Sequence, residues 1–182
     1  MTRKRPVTHS ERSGIPSAAT NLVDVALIAV FRRFRERIEV LIARRRSDAD
    51  VLAGQWEIPG GKIEKGESPV QAAARELLEE LHIECDSDSP AWIPLGMITP
   101  PPPLGRPAPR FFLFALELPA GAAPRALASE AIEWVDRSAL AKLPWPQTNQ
   151  EVITAITREL GKQDGGPAKR LSPPRTLPTH QE

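Results

Sequence analysis

Residues 60–83 read GGKIEKGESPVQAAARELLEELHI, and the interpretation of the rest of the chain depends on this stretch. It opens on two glycines. It closes in a segment rich in charge, which carries Arg75, Glu76, Glu79 and Glu80 within six residues. Paired glycines let a backbone approach a ligand closely, and clustered carboxylates require a counter-charge. The stretch therefore predicts a site at which backbone and acidic side chains act together.

The middle of the stretch has the pattern of a helix. Ser68 followed by Gln71 predicts a capping box, and Pro69 suits the first helical position. Apolar residues then recur at i, i+4, i+7 and i+11, which predicts one stripe facing a core. That stripe consists of Val70, Ala74, Leu77 and Leu81.

The glutamates lie off this stripe and on a common side of the helix. Glu76 stands four residues before Glu80 and three before Glu79. Arg75 can neutralise Glu79, and a divalent cation can neutralise the others. Oxygen ligands without Cys or His suit a hard ion, Mg²⁺ or Mn²⁺, that substrate phosphates complete. The alternative is a solvated helix face with ordinary ion pairs.

The spacing resembles the signature box of the Nudix hydrolases. Gly61 is followed after five residues by Glu67 and after seven more by the Arg-Glu-Leu of residues 75–77. Glu79, Glu80 and Ile83 also match. The family has Gly where this chain has His82, so we expect His82 to end the helix in a left-handed conformation without changing the chemistry.

This resemblance implies a fold and a reaction. The implied fold is α/β (α+β), a Nudix fold with a mixed β-sheet sandwiched between α-helices, over about Leu22 to Leu160. The implied reaction is hydrolysis of a nucleoside diphosphate linked to another group, by water attacking phosphorus. The metal ligands implied are the Gly60 carbonyl with Glu76, Glu79, Glu80 and Glu67. The implied catalytic residues are Glu79, Glu76, Arg75 and Glu130, with Glu133 as the second choice for the extra acid.

The resemblance to MutT-type enzymes also implies substrate-binding residues. Arg46 closes the second strand, Arg106 lies within the proline-rich run 100–109 and Arg110 directly follows it. Each of these arginines could hold phosphate or be solvated. Asn149 is expected to read a purine edge, because an amide both donates and accepts. The alternative for this region is helix capping, by a capping box of Thr148 and Glu151.

Three functions remain open at this stage. The first is a MutT-type nucleoside triphosphate pyrophosphohydrolase, including one that acts on oxidised purine nucleotides. The second is an ADP-ribose or nucleotide-sugar pyrophosphatase. The third, from another class, is a non-catalytic nucleotide-binding regulatory domain, although such domains usually lose the glutamates that this chain keeps.

Apolar and β-branched runs predict the remaining elements. The first two strands form a hairpin, and a final helix closes the domain with Val152, Ile153, Ile156 and Leu160 on its buried side. The predicted strands are Leu22–Phe31, Ile38–Ala43, Trp56–Pro59, Ala91–Thr99, Arg110–Glu117 and Ile132–Val135, and the final helix is Thr148–Leu160.

Composition limits the partners and the compartment. The chain has 182 residues, with 24 basic and 23 acidic, so no overall field attracts nucleic acid or a membrane. A single cysteine, Cys85, excludes an internal disulfide and favours a cytoplasmic protein. We expect a disordered basic leader (1–20), one domain (21–160) and a disordered tail (161–182), in a monomer or homodimer.

Overall fold

The computed structural model describes residues 22–119 and 121–163, together with the backbone of residues 175–176. The expected leader lies outside the described residues, and so does most of the expected tail. Residues 161–163 follow directly from the last helix, and residues 175–176 form a two-residue strand. The expectation of disorder at both ends therefore stays a prediction.

The described residues fold into strands and two α-helices, with two short 3₁₀ helices before the second one. The first half contains β1 (Leu22–Phe34), β2 (Arg37–Arg44), β3 (Trp56–Glu57), β4 (Gly60–Lys62), α1 (Pro69–Leu81) and β5 (Ile83–Glu84). The second half contains β6 (Ile93–Ile98), β7 (Ala108–Glu117), β8 (Ala131–Asp136), the 3₁₀ helices Arg137–Lys142 and Gln147–Asn149, α2 (Gln150–Gly161) and β9 (Arg175–Thr176).

A mixed sheet splits open between β1 and β2. The two strands pair only near their hairpin, from Phe31 opposite Val40 to the turn. Further along, β1 lies between β7, which runs parallel to it, and β4, while β2 lies between β8 and β3. The segment from Trp56 to Lys62 therefore fills the opening by pairing first with β2 and then with β1. This places Gly60 and Gly61 inside the sheet.

Each face of the sheet carries one helix and one hydrophobic core. Ile28 and Val30 of β1 face the core shared with α1, whereas Ala29 and Phe31 face the core shared with α2. This alternation follows from the two-residue period of a strand. The predicted sandwich of helices around a mixed sheet is confirmed.

Both ends of α1 have the caps that the sequence predicts. The Ser68 hydroxyl accepts from the Gln71 N–H at 3.3 Å, and the Ser68 N–H donates to the Gln71 side-chain oxygen at 2.8 Å. His82 has φ 57° and ψ 37°, the left-handed conformation expected where the family has glycine. The buried side differs in part from the prediction, because Val70 and Ala74 are only half-buried. The fully buried residues are Ala72, Ala73, Leu77 and Leu81, and the two alanines let the helix lie close to the sheet.

The predicted start of the last helix was wrong. The Asn149 N–H donates to the Pro146 carbonyl at 2.9 Å, which closes a 3₁₀ turn, and α2 begins only at Gln150. The Thr148 hydroxyl lies 3.4 Å from the Asn149 side-chain oxygen, and no capping box with Glu151 forms. The predicted apolar side of this helix is confirmed, with Val152, Ile153, Ile156 and Leu160 all buried.

Adjacent leucines of α1 provide a test of how the helix packs. Leu77 is fully buried and Leu78 is 40% exposed. We expect Leu77→Ala to lower the free energy of unfolding by about 2–5 kcal/mol, because it leaves a cavity under the helix. Leu78→Ala should cost less than about 1 kcal/mol. Urea denaturation of both variants measures this, and equal losses would contradict the observed orientation of α1.

Candidate active site

A hydrogen bond between α1 and β4 positions the candidate site. The Glu80 carboxylate accepts from the Gly60 N–H at 2.9 Å. Gly60 has φ +139°, and a Cβ atom there would overlap the backbone carbonyl of Ala26 on β1. Only glycine therefore allows the strand to sit this deep in the sheet and present its N–H to the helix.

The second glycine brings a second carboxylate to the same place. A Cβ atom on Gly61 would overlap the carboxylate of Glu76, so this side chain lies directly against the glycine backbone. Glu76 and Glu80 thus both reach the paired glycines from one side of α1, as the i, i+4 spacing predicts.

Arg75 is the hub of an ion-pair network on the exposed side of these groups. Its Nε and Nη2 bind the two carboxylate oxygens of Glu67 at 2.9 and 3.1 Å. Its Nη1 lies 2.8 Å from Glu76 and 3.2 Å from Glu79, and Nη2 also donates to the Lys62 carbonyl at 3.0 Å. These contacts raise the pKa of Arg75, mainly through Glu67, and the guanidinium lowers the pKa of Glu67.

The carboxylates do not converge on one point as the sequence suggested. Glu67 and Glu76 turn towards Arg75, the Glu79 side chain is 58% exposed, and Glu80 turns to Gly60. Within residues 22–119 and 121–163, no three Asp, Glu, His or Cys side chains form a metal-binding group. Arg75 takes the place of a counter-ion for most of them. The assignment of Gly60, Glu67, Glu76, Glu79 and Glu80 as ligands stays a prediction.

The electrostatic setting of Glu80 is unusual for a glutamate. Burial, with smaller contributions from the charges of Glu76 and Glu57, raises its pKa to about 7, although the Gly60 N–H and Arg45 act in the opposite direction. Glu57 pairs with Arg45 at 2.6 Å. Sequence reasoning missed both residues. The available signal was the strand alternation of residues 56–58, which puts Glu57 on the face opposite Trp56.

The residues present fit a hard divalent cation. Glu57, Glu76 and Glu80 supply only oxygen ligands, and the charges of Glu57 and Glu76 act on Glu80. A nearby cation would offset both the burial of Glu80 and this repulsion, which oxygen-preferring ions such as Mg²⁺ can do.

Arg46 and Glu130 lie at the C-terminal end of β2. Arg46 forms a bidentate pair with Asp48 at 2.9 and 3.0 Å, which raises the pKa of the arginine, and the charge of Glu130 adds to the effect. The Glu130 N–H donates to the Arg44 carbonyl at 2.8 Å. The two predicted residues are therefore neighbours of each other, and neither is hydrogen-bonded to the α1 glutamates in the described part of the chain.

The loop before β8 links Glu130 to the end of α1. Leu127 N–H donates to the Glu80 carbonyl and Arg125 N–H to the Leu81 carbonyl, both at 3.0 Å. The loop is thus anchored at the C-terminus of α1 just before it reaches Glu130. The role of Glu130 as the extra acid stays a prediction. Glu133 is exposed within β8.

The remaining predicted residues stand apart from the glutamates. Arg110 is committed to a bidentate pair with Asp24 at 2.7 and 2.6 Å. Arg106 is exposed in the proline-rich loop, and Asn149 precedes α2 on the other face of the sheet. Among the described residues, no hydrogen bond or ion pair joins Arg106 or Asn149 to the α1 glutamates. Their substrate roles stay predictions.

The fold and the site define a class of protein in which an acidic helix is held against paired glycines in a split mixed sheet. The family model of the NUDIX domain matches residues 22–156, most of the chain. The chain belongs to the Nudix family, and the resemblance seen in the sequence is confirmed. No helix among the described residues is long and apolar enough to cross a bilayer.

Known proteins resemble the chain in part. An octanoyltransferase of Myxococcus xanthus is 36% identical over 133 residues, which cover 70% of this chain and 35% of that protein. An 8-oxo-dGTP diphosphatase of Escherichia coli K12 is 54% identical over 48 residues, 26% of this chain and 36% of that protein. The chain thus matches only about a third of the length of each. The crystal structure of a MutT protein from Methanosarcina mazei Go1 has a TM-score of 0.63 and 20% identity, and the match covers 79% of this chain and 99% of that one, which supports the fold.

The two glycines should respond differently to substitution by alanine. At Gly60 the added methyl meets the Ala26 backbone, which cannot move, whereas at Gly61 it meets the flexible end of Glu76. We expect Gly60→Ala to lower the unfolding free energy by more than about 2 kcal/mol and Gly61→Ala by less than about 1 kcal/mol. Thermal unfolding of both variants measures this. If Gly61→Ala were the less stable variant, the placement of Glu76 would be wrong.

The raised pKa of Glu80 predicts how the metal-free protein responds to pH. The folded state retains the proton up to about pH 7, whereas the unfolded chain loses it near pH 4.5. Folding therefore binds a proton in this window, and the Glu80 contribution to stability is lost as pH rises from 4.5 through 7, by up to about 3 kcal/mol.

Urea unfolding in EDTA at pH 5 and pH 8 tests this for wild type and Glu80→Gln. We expect wild type to lose stability relative to the variant between these values, because glutamine does not titrate. If the two proteins keep a constant difference, Glu80 is ionised in the folded protein at both pH values.

Proposed function

We propose that the chain is a divalent-metal-dependent hydrolase of phosphoanhydride bonds. Its best-supported substrate is a nucleoside triphosphate, cleaved to the monophosphate and pyrophosphate in the manner of MutT-type enzymes. The observation that carries this proposal is the placement of Glu76 and Glu80 against Gly60 and Gly61. Carboxylates and backbone oxygens at a glycine pair are the ligands that a hard cation bridged to phosphate prefers.

The residues that would hold Mg²⁺ or Mn²⁺ are those at the glycine pair. Glu76 and Glu80 supply carboxylates and Gly60 supplies a carbonyl, while Glu67 and Glu79 are available for a second ion. When bound, the cation neutralises phosphate oxygens and lowers the pKa of a water molecule. Arg75 holds Glu67 and the Oε1 atom of Glu76, which limits the number of positions that these side chains can take.

Two glutamates are candidates for the base that removes a proton from water. Glu79 is the most exposed of the α1 glutamates, and it forms an ion pair with Arg75 at 3.2 Å. Glu130 follows a loop anchored at the Glu80 and Leu81 carbonyls. A base must reach the water within hydrogen-bond distance. Glu79 would do so by rotation of its side chain, and Glu130 by a movement of its loop.

The substrate class rests on weaker support. The Escherichia coli relative named 8-oxo-dGTP diphosphatase shares 54% identity over 48 residues, which favours an oxidised purine nucleotide. Asn149 would bind the edge of the purine base. Arg46 would bind phosphate or ribose once the substrate competes with Asp48 for it. Arg106 would do so once the substrate orders the proline-rich loop. All four box glutamates, Glu67, Glu76, Glu79 and Glu80, are retained, which disfavours a non-catalytic binding domain.

Glu80→Gln tests the proposal in a screen of substrates with Mg²⁺. We expect wild type to release pyrophosphate from nucleoside triphosphates, and the variant to lose at least about 100-fold in kcat because one anionic oxygen is removed from the site. Glu36→Gln is the matched control, since Glu36 is exposed at the β1–β2 turn. It should leave kcat unchanged.

Other outcomes of this screen select between the functions. Turnover of ADP-ribose or a nucleotide sugar without triphosphate hydrolysis would replace the proposed substrate. Wild type and Glu80→Gln that both bind nucleotides but turn over none of them would identify a binding domain and contradict the hydrolase.

A further inference from the structure

Arg45 holds the segment that leads to the glycine pair through both its backbone and its side chain. It follows directly after β2. Its N–H donates to the Gln55 carbonyl at 2.9 Å, and its carbonyl accepts from the Gly54 N–H at 3.1 Å. The guanidinium Nη1 donates to a carboxylate oxygen of Glu57 at 2.6 Å. Residue 45 therefore fixes this segment at three points, of which one depends on the arginine side chain.

The same segment crosses the opening in the sheet. Glu57 pairs with β2, and three residues later Gly60 pairs with β1. Between them, the Pro59 carbonyl accepts from the Ile28 N–H at 2.8 Å. Because the ring of Pro59 fixes its φ angle, this short connection absorbs little movement. The contact between Arg45 and Glu57 therefore affects where Gly60 lies.

The guanidinium of Arg45 is held in an unfavourable position. Its Nε atom is buried and has no hydrogen-bond partner among the described residues. A buried donor without a partner is rare in folded proteins and requires an explanation. The ion pair with Glu57 supplies one, because the two side chains are only 43% and 26% exposed and are screened less than a pair on the open surface.

The pair also affects the acceptor of the Gly60 hydrogen bond. The charge of Glu57 acts on Glu80, and the charge of Arg45 opposes it. Without Arg45, the Glu57 carboxylate would repel the Glu80 carboxylate, which accepts from the Gly60 N–H at 2.9 Å. The ion pair therefore acts on both partners of this hydrogen bond, through the chain on one side and through charge on the other.

We propose that Arg45 and Glu57 are a positioning pair, which holds the Gly60 N–H and the Glu80 carboxylate together. Neither residue touches the substrate in this role, since both act through Gly60 and Glu80. The effect on turnover rests on the proposed function, whereas the effect on the hydrogen bond does not. The pair thus assigns a role to two residues that the spacing of the glutamates did not indicate.

Amide hydrogen exchange of Gly60, followed by NMR in EDTA, tests the proposal without turnover. Arg45→Met and Glu57→Gln remove the ion pair and keep side chains of similar length. We expect the Gly60 N–H to exchange roughly 10-fold faster or more in each variant, because the segment opens locally more often. The double variant should exchange no faster than the single ones, since both changes break one interaction. Arg45→Lys, which keeps the charge, should retain most of the protection.

The Arg32 and Glu39 ion pair provides the matched control. It joins β1 to β2 near their hairpin at 2.7 Å, and its side chains are 21% and 19% exposed. Arg32→Met and Glu39→Gln should leave the exchange of Gly60 unchanged. The exchange of Ala29, which is fully buried in β1, reports any general loss of stability. The positioning pair requires Gly60 to respond more than Ala29.

Turnover with Mg²⁺ and a nucleoside triphosphate gives the second measurement. We expect Arg45→Met and Glu57→Gln to lower kcat roughly 5-fold or more while KM changes less than about 2-fold, because a displaced carboxylate affects the reaction more than substrate binding. Arg45→Lys should restore most of kcat.

The outcomes separate the positioning pair from the proposed function. Unchanged exchange of Gly60 in both single variants would overturn the pair and leave the hydrolase intact. Faster exchange with unchanged kcat would overturn its role in turnover. A higher KM in Arg45→Met, with kcat and exchange unchanged, would show that Arg45 binds substrate directly and overturn the pair. Faster exchange in the variants, without hydrolysis of any substrate by wild type, would support the pair and overturn the hydrolase.

Discussion

The hydrogen bond from the Gly60 N–H to the Glu80 carboxylate is the interaction on which the rest of the site depends. It joins α1, the helix that carries Glu76, Glu79 and Glu80, to a strand set inside the sheet. A hydrogen bond to a charged group contributes about 1.5–3 kcal/mol, but burial of Glu80 opposes it and raises the pKa of the carboxyl group to about 7. The hydrogen bond therefore holds Glu80 in place, but it does not offset the cost of burying the charged carboxylate.

Arg75 balances the charge of the neighbouring glutamates and leaves Glu80 out. The guanidinium spreads its hydrogen bonds over Glu67, Glu76 and Glu79, so these groups are ordered before any ligand binds. At the glycine pair, the charges of Glu76 and Glu57 both act on Glu80, and Arg45 opposes them only in part. A cation bound there and bridged to phosphate would offset this repulsion.

Local sequence signals predicted much of the fold. The capping box of Ser68, the left-handed His82 and the buried side of the last helix all depend on neighbours within a few residues, and all are confirmed. The resemblance of residues 60–83 to a known box supplied the family. The start of α2 was wrong because the turn closed by Pro146 and Asn149 competes with the capping box, and residue types alone do not decide between them.

The side-chain partners within the site were less predictable, because they depend on contacts distant in sequence. Arg110 pairs with Asp24, 86 residues away, and Glu57 acts on Glu80 only because β3 and β4 enter the split sheet. A pocket likewise joins Arg44 and residues 54–56 to residues 144–146. The spacing of the glutamates predicted their shared side of α1, but it did not predict that Arg75 would hold Glu76 and Glu79 together with Glu67.

A crystal structure of the protein with Mn²⁺ and a non-hydrolysable nucleoside triphosphate analogue, measured at the manganese absorption edge, tests the central claim most directly. We expect an anomalous peak bonded to the carboxylates of Glu76 and Glu80 beside Gly60, with a phosphate oxygen completing the coordination of the ion. The claim would be contradicted if the analogue were bound and manganese lay elsewhere. In that case the Glu80 carboxylate would accept only the hydrogen bond from the Gly60 N–H.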